Sequence, residues 1–251
     1  MEKDEPIIRL EHVDAGYPGA VILHDVSFAV ARGEIFILLG GSGCGKSTVM
    51  KHMTGLNPIL AGRLTVAGLA WSAATRAELC RQIGVMYQSG ALFGSMTCLE
   101  NVRLPLDEFS DLSKAARRAR ALELLRDVEL EDAADKMPSE ISGGMRKRVA
   151  IARAMALDPS VVFLDEPSAG LDPITSAALD DLILRLRAEK GMTFVVVTHE
   201  LPSVFKIGDR AAMFDRARHG LVALGTPQAL RDTSEDPFVR KFFSRGEYHG
   251  Q

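Results

Sequence analysis

Two stretches of partial period-two alternation open the chain, "IIRLEHV" and "VILHDVSFAV", the second placing Val26, Phe28 and Val30 on one face. Alternation of this kind predicts half-buried strands, here an antiparallel pair. "ARGE", Ala31 to Glu34, reads as the turn out of them, and the following run "IFILLG" is apolar throughout. A run without alternation suits a strand buried on both faces, and it delivers a glycine-rich loop to a helix expected to stop near Gly55. Strand patterns recur at "GRLTVAGL", "IGVMYQ", "VVFLDE", "TFVVVTH" and "RAAMFD", mostly separated by helical patterns. This succession predicts an α/β core built largely on parallel strands.

From about Ser89 to Ala156 the succession breaks, because "SKAARRARALELLRDVEL" and "SGGMRKRVAIARAMA" are helical patterns with no strand between them. We read this segment as a helical lobe inserted into the core. Asp172 and Pro173 form an N-cap and first-turn pair, after which Leu179, Leu182, Ile183 and Leu186 keep helical spacing as far as Gly191. The ending, "GTPQALRDTSEDPFVRKFFSRGEYHGQ", reads as one short helix and an amphipathic tail. One domain over residues 1–251 is expected, in four parts. Residues 1–88 hold the β subdomain and first part of the core, 89–156 the helical subdomain, 157–225 the rest of the core and 226–251 the tail.

Composition narrows the function classes. The chain has 251 residues, 47% hydrophobic and 25% charged, with 30 basic against 33 acidic side chains and a formal charge of −3. Balanced charge provides no global field for nucleic acid or anionic lipid, so no nucleic-acid partner is expected. The longest run without a charge, Gln82 to Leu99, reaches membrane-span length but contains Gln82, Gln88, Ser89, Ser95 and several glycines, so it reads as a strand and an apolar surface loop. "MEKDEPIIRL" has no apolar signal region, which predicts a cytoplasmic chain. Cys44, Cys80 and Cys98 form neither a C-x-x-C pair nor a zinc spacing, and no structural disulfide is expected.

"GGSGCGKST", Gly40 to Thr48, satisfies G-x-x-x-x-G-K-[ST] between an apolar strand and a helix. In that setting backbone N–H groups of Gly40, Gly41, Ser42, Gly43, Cys44 and Gly45 can cradle phosphate, Lys46 can reach the β and γ oxygens, and Ser47 can hold Mg²⁺. Cys44 reads as a small filler whose modification by a thiol reagent is expected to block ATP. "VVFLDEP" delivers Asp165 and Glu166 to a strand end; Asp165 suits a Mg²⁺ shell and Glu166 suits polarising an attacking water. His199 ends the buried run "TFVVVTHE", where the carboxyl ends of parallel strands line a ligand crevice, and is read as a γ-phosphate contact. His12, His24, His52, His219 and His249 lack such placement and read as structural or solvated.

"EISGGMRKRVAIARAMA", Glu140 to Ala156, starts a helix at Gly143 and Gly144 and crowds it with Arg and Lys. Taken alone it fits a phosphate site at a helix N-terminus. It fits equally an ordinary N-cap by Ser142, with Met145, Val149, Ala152 and Ala156 turned to the core.

In order the chain shows an aromatic in "AGYPG", then "GGSGCGKST", a Gln in "MYQSG", "ISGGM", "VVFLDEP", "AGLD" and "THE". This succession resembles the ATP-binding cassette (ABC) ATPases over nearly the whole chain. The resemblance implies a P-loop (RecA-like) core with an N-terminal antiparallel β subdomain and an inserted helical subdomain. It also implies a homodimer in which each Walker loop binds ATP, with Mg²⁺, against the other cassette's signature. Ser142, Gly143, Gly144 and Met145 would then cap the γ-phosphate held by Lys46 of the partner cassette. Two or three charge-assisted bonds of about 1.5–3 kcal/mol each would favour closure with ATP and be lost with ADP. By the same resemblance Tyr17 stacks on adenine, a contact worth roughly 1–3 kcal/mol. Gln88 meets Mg²⁺ and the attacking water, and Asp172 lies in the loop that crosses to the partner. Ile141 and Met145 depart from the more usual Leu and Gln of the signature. An amide lost at Met145 should tune the site without abolishing it, because the phosphate contacts come from Ser142 and backbone N–H groups.

Narrower features, "MYQSGALFGSMTCLENVRLPL" and the Met145 signature, resemble the ATPases of MCE-associated lipid transporters of the Mla (maintenance of lipid asymmetry) type. That resemblance implies phospholipid or a related hydrophobic cargo and two copies of an integral permease. It further implies a periplasmic MCE substrate-binding protein, room for a small STAS-domain partner, and a peripheral place on the cytoplasmic face of the inner membrane. Ala91, Leu92, Phe93 and Met96 would offer a groove to the permease, or else pack the lobe on the core. Val239, Phe242 and Phe243 would clasp the other subunit or fold on their own cassette. The competing readings are an amino-acid or other small-solute importer, which shares every ATP motif, and a non-transport cassette. The latter usually carries a long coiled-coil insertion or a second Walker loop, and neither is present here.

Overall fold

The structure is a computed structural model that describes residues 5–88 and 90–244. The chain opens with β1 (Ile8–Tyr17), β2 (Ala20–Val30), β3 (Ile35–Gly40), α1 (Lys46–Met53), β4 (Ala61–Val66), β5 (Leu69–Ala70), α2 (Arg76–Gln82) and β6 (Ile83–Met86). Three helices follow without a strand: α3 (Cys98–Phe109), α4 (Lys114–Asp127) and α5 (Gly143–Ala154). The core resumes with β7 (Val161–Asp165), α6 (Pro173–Lys190), β8 (Thr193–Val197), α7 (Leu201–Ile207), β9 (Arg210–Asp215) and β10 (Gly220–Gly225), and the described chain closes with α8 (Pro227–Thr233) and α9 (Pro237–Ser244).

The strands form two sheets. One is antiparallel, in the order β2-β1-β4-β5; the other runs β10-β9-β3-β8-β7-β6, parallel except where β10 pairs antiparallel at the edge. Strands β3 and β8 are buried at every position, as expected for strands covered on both faces. Alternation within β3 then divides the core. Ile35, Ile37 and Leu39 face the helical side with Leu99, Val102, Leu124 and Val149, whereas Phe36 and Leu38 face the antiparallel sheet with Ile8, Val26 and Phe28. Phe28 stacks on Phe36 with centroids 5.1 Å apart, fastening the two sheets.

Several expectations hold in detail. Asp172 caps α6 by accepting from the N–H groups of Ile174 and Thr175, and Gly191 ends that helix at φ 63°. Others are corrected. "GRLTVAGL" is two strands, broken where Ala67 and Gly68 both take positive φ. The apolar loop predicted through Leu99 gives way at Cys98 to α3, which starts at a Thr97–Glu100 capping box and accommodates Pro105 in its interior. Strand β10 was hidden by being an edge strand with no fully buried position, and the short helices α2 and α7 also lay outside the predicted set. The tail holds two helices: Val239 and Phe243 of α9 are buried on their own cassette, with Phe243 against Phe205. Ser89, the expected first residue of the lobe, and the tail beyond Ser244, with His249, lie outside the described residues.

Candidate functional site

The parallel strands end level with one another: Leu38 of β3 pairs with Val197 of β8, Val197 with Asp165 of β7, and Leu164 of β7 with Met86 of β6. Whatever follows those ends therefore lies along one rim of the sheet, the usual ligand crevice of such a topology. Gly41 to Gly45 follow β3, Gln88 follows β6, Glu166 follows β7 and His199 follows β8.

The loop after β3 turns through positive φ at Gly40, Gly43 and Gly45. Gly45, at φ 101°, starts α1 with no side-chain cap and no acidic residue in the first turn. A Cβ there would stand 2.7 Å from Leu23, so sterics as well as φ demand glycine. The open N–H groups of α1 make an anion cradle. Lys46 folds back over the loop, its ammonium donating to the carbonyls of Gly40 at 2.8 Å and Gly41 at 3.1 Å. Ser47 Oγ donates to Asp165 Oδ1 at 3.4 Å, while Thr48, the next residue of α1, is buried.

Burial, and next the charge of Glu166, raise the carboxyl pKa of Asp165; Ser47, Lys51 and Lys46 oppose the rise. A carboxylate raised in this way is one that a bound cation stabilises. Glu166 adopts φ 48°, a left-handed conformation that costs a non-glycine residue about 1–3 kcal/mol and tends to mark functional positions. Its Oε1 accepts from His199 Nδ1 at 2.9 Å, and its buried Oε2 has no partner. Among the described residues no cluster of three or more His, Cys, Asp or Glu side chains forms a metal cage. The donor pair present, Ser47 Oγ beside Asp165 Oδ1, fits Mg²⁺, which is usually held by one or two carboxylates and the phosphates of its substrate.

A cavity of about 1140 Å³ gathers Gly41, Ser42, Gly43, Lys46, Ser47, Gln88, Asp165, Glu166 and His199. Its outer wall includes Glu200, Leu201 and Pro202, together with Phe238, Lys241 and Phe242 of α9, which the sequence reading did not connect to it. Tyr17 stands at the end of β1, 41% exposed and outside the cavity lining. Cys44 is only 2% exposed, the packed small filler expected, and burial pushes its thiol pKa up, which makes the sulfur a poor target for a thiol reagent.

Ser142, Gly143, Gly144 and Met145 do not line this chain's cavity. Ser142 caps α5, Oγ accepting from Met145 N at 3.2 Å, which leaves its own O–H free to donate outward. Met145 is partly buried against the helical core, with Val149, Ala152 and Ala156 buried beyond it. Gly144 abuts α6, where a Cβ would meet Thr175 Cγ2 at 2.5 Å. Asp172, three residues before Thr175, accepts a short hydrogen bond from the Thr175 hydroxyl, which lowers its pKa.

The cations crowding α5 turn out to serve protein oxygens. Arg146 donates to the Ile141 carbonyl at 2.8 Å, Arg148 to Glu129 at 2.6 Å, and Arg153 to the carbonyls of Gly90 and Ala91, both at 2.8 Å. Lys147, 8% exposed, donates to the carbonyls of Gln88 and, at 3.3 Å, Glu166. Burial lowers its pKa while the Asp165 and Glu166 charges oppose that shift. His52 is fully buried, and its Nε2 accepts from Gly16 N at 2.9 Å, next to Tyr17. Neither Lys147 nor the His52–Gly16 link was singled out from the sequence, because each acts on a main-chain group far away in the chain.

In the apolar segment after Gln88, Leu92 packs on the helical core and Phe93 is half exposed. A second cavity, of about 330 Å³, lies where α2 and β6 meet the helices, with Cys80, Val85, Pro105, Phe109, Arg153 and Leu157 among its walls. Among the described residues no helix is long and apolar enough to cross a membrane.

The ABC transporter family model matches residues 23–169. The intermembrane phospholipid transport system ATP-binding protein MlaF of Escherichia coli K12 is 37% identical over 243 residues, covering 91% of this chain and 89% of that protein. The probable ribonucleotide transport ATP-binding protein mkl of Mycobacterium tuberculosis H37Rv is 37% identical over 240 residues, 94% of this chain and 66% of that one. The glycine betaine/proline betaine transport system ATP-binding protein ProV of Escherichia coli K12 is 35% identical over 223 residues; the match takes in 87% of this chain but only 55% of ProV. Among solved structures, the cassette MJ0796, dimeric in a post-hydrolysis state bound to ADP and Pi, superposes with a TM-score of 0.77 at 30% identity over 88% of this chain and 98% of that one. Likewise cbiO1 from Clostridium perfringens, part of the ABC transporter complex cbiONQ, gives 0.84 at 26% identity over 98% of both chains. Family match, relatives and strand-end geometry agree: the chain belongs to the ABC transporter family.

Proposed function

We propose that two copies of this chain bind and hydrolyse ATP between them to drive a membrane permease, and that the cargo is phospholipid or a related hydrophobic lipid. The observation that supports the ATPase reading most strongly is the convergence of Lys46, Ser47, Gln88, Asp165, Glu166 and His199 on one cavity. Lys46 exchanges its loop carbonyls for β and γ phosphate oxygens, and the uncapped start of α1 supplies N–H donors beside it. Mg²⁺, held by Ser47 and Asp165 with Gln88 nearby, would neutralise the phosphate charge. His199 holds one oxygen of Glu166, leaving the unpartnered Oε2 to accept a proton from the attacking water. Tyr17 stacks on the adenine. Across the dimer Ser142, Gly143 and Gly144 meet the partner's γ-phosphate, and Asp172 lies at the crossing between the two cassettes. Loss of the γ-phosphate releases the clamp.

The lipid reading rests on the near end-to-end match to the phospholipid relative, with Met145 and the segment after Gln88 in support. In this reading the chain sits peripherally on the cytoplasmic face of the inner membrane. A permease helix docks near Phe93 and the cavity beside Pro105 and Phe109, and an MCE protein, with room for a STAS-domain partner, completes the assembly. The comparable identity of the betaine relative favours a small-solute importer as the second reading.

Glu166→Gln should retain ATP and block turnover, so the tagged variant can be purified from its native membrane in Mg-ATP and its partners identified by mass spectrometry. Recovery of a permease with an MCE protein and enriched phospholipid supports the lipid reading. A solute permease transfers the cargo to the second reading, and normal turnover by the variant removes Glu166 from its role.

A further inference from the structure

We propose that Lys147 is a positioning residue that couples the two ATP sites of the dimer. It ties the signature helix, which each cassette presents to its partner's nucleotide, to the backbone of that cassette's own hydrolytic site. The inference rests on the head-to-tail reading above, and its geometry lies within one chain.

Lys147 stands five residues after Ser142 on α5, about a turn and a half into the helix. Its ammonium does not line the nucleotide cavity; it lies behind it, bridging the carbonyls of Gln88 and Glu166. Those two residues follow different strands, β6 and β7, and among the described residues no other side chain hydrogen-bonds to both of them from the helical layer. The Glu166 peptide needs such support. Its left-handed φ persists only if surrounding contacts fix it, and these are Glu166 N–H to the Val197 carbonyl at 2.8 Å, Ala169 N–H to the Glu166 carbonyl at 3.2 Å, and Lys147. The ammonium is thus one of three links that hold the peptide aiming the general base.

The helix it comes from is otherwise fastened to the same layer. Gly144 touches Thr175 on α6, and Arg153 holds the carbonyls of Gly90 and Ala91, immediately beyond the Gln88 segment. When Ser142, Gly143 and Gly144 close on the partner's γ-phosphate, α5 is pinned at its N-terminus. Through Lys147 that pinning reaches the Gln88 and Glu166 carbonyls of the opposite site. ATP in either site then organises hydrolysis in the other, and turnover becomes cooperative in ATP.

The test compares wild type, Lys147→Met and Lys147→Gln as full-length chain. Methionine keeps the aliphatic stem and removes the donors; glutamine restores a neutral N–H donor. Mg-ATP affinity, steady-state ATPase with its Hill coefficient, and thermal midpoint are measured for each. K147M is expected to lose about tenfold or more in kcat, the scale of one charge-assisted hydrogen bond, with ATP affinity within about twofold of wild type. Its Hill coefficient should fall to 1, and K147Q should recover part of both losses. Unchanged kcat and Hill coefficient in K147M overturn the proposal, as does a K147Q that folds like wild type yet is as impaired as K147M. A parallel loss of ATP affinity also overturns it, by making Lys147 part of the binding site. Glu166→Gln run alongside separates the two levels. If it fails to dimerise in Mg-ATP the head-to-tail reading fails, and if it dimerises while K147M turns over cooperatively, only the coupling fails.

Discussion

Helices α1 and α5 both begin beside glycine, but only α5 has its first turn closed by the protein. Ser142 accepts from Met145 N, whereas Gly45 gives α1 no side-chain cap at all. The same contrast runs through the two regions. In the helical layer Thr97 and Ser113 cap α3 and α4, and the α5 cations each end on a carbonyl or carboxylate. Along the strand-end rim, Glu166 Oε2 is buried without a partner, Asp165 is held at a raised pKa, and Glu166 sits at a strained φ. Unsatisfied groups of this kind cost stability and persist where a ligand completes them. A layer with capped helix starts and paired α5 cations instead presents a fixed surface, which suits the helix terminus that the proposed dimer would hand to its other subunit.

The largest expected effect strikes the open region. Lys46→Ala removes a cation from the phosphate cradle and should lower ATP turnover by roughly 10²–10³-fold, the loss typical of one donor to developing negative charge. Its thermal midpoint without nucleotide should stay near wild type, because two loop carbonyls can turn to water. A large drop in midpoint with turnover intact would reverse the contrast, making Lys46 a structural lysine.

Gly144→Ala probes the joint between the regions. Its Cβ would press on Thr175 Cγ2, and overpacking of this kind costs roughly 1–3 kcal/mol. Thr175→Ser deletes that methyl yet keeps the hydroxyl bonded to Asp172. The double variant should therefore recover most of the stability lost by Gly144→Ala in urea unfolding. Simple additivity of the two changes would show that the α5–α6 contact is not where the alanine acts.

Legibility in the sequence follows the same division. The strand-end rim was readable because buried strands write continuous apolar runs, "IFILLG", "VVFLDE" and "TFVVV", and the residues directly after them are the ones the fold brings together. The helical layer was less so. Pro105 and the charge-free stretch before Leu99 disguised α3 as loop, and the half-exposed edge strand β10 carries no alternation to detect. Lys147 and His52 were illegible for a more general reason: their partners are main-chain groups at Gln88, Glu166 and Gly16, and a carbonyl or N–H has no letter in the sequence.

Within the satisfied region, Thr97→Ala should cost about 1 kcal/mol in chemical unfolding by opening the capping box, with ATP turnover at wild-type levels. A fall in turnover without loss of stability would show that the start of α3 belongs with the site.

The smallest effect concerns a satisfied group that touches the open region. His52 Nε2 accepts from Gly16 N, so it must be unprotonated there, and burial lowers its pKa below the ordinary value of about 6.5. Between the lowered folded value and the unfolded one, the unfolded chain binds more protons. Stability therefore rises with pH through that window, is fully present above about 6.5, and is lost as pH falls below it. His52→Gln can accept from Gly16 N without titrating, so its unfolding free energy should depend less on pH than that of wild type between about pH 7.5 and 5.5. Because Gly16 carries Tyr17, ATP affinity in wild type should weaken over the same acid window and hold steady in the variant. Parallel pH profiles for the two proteins would mean that the His52–Gly16 link does not set the position of Tyr17.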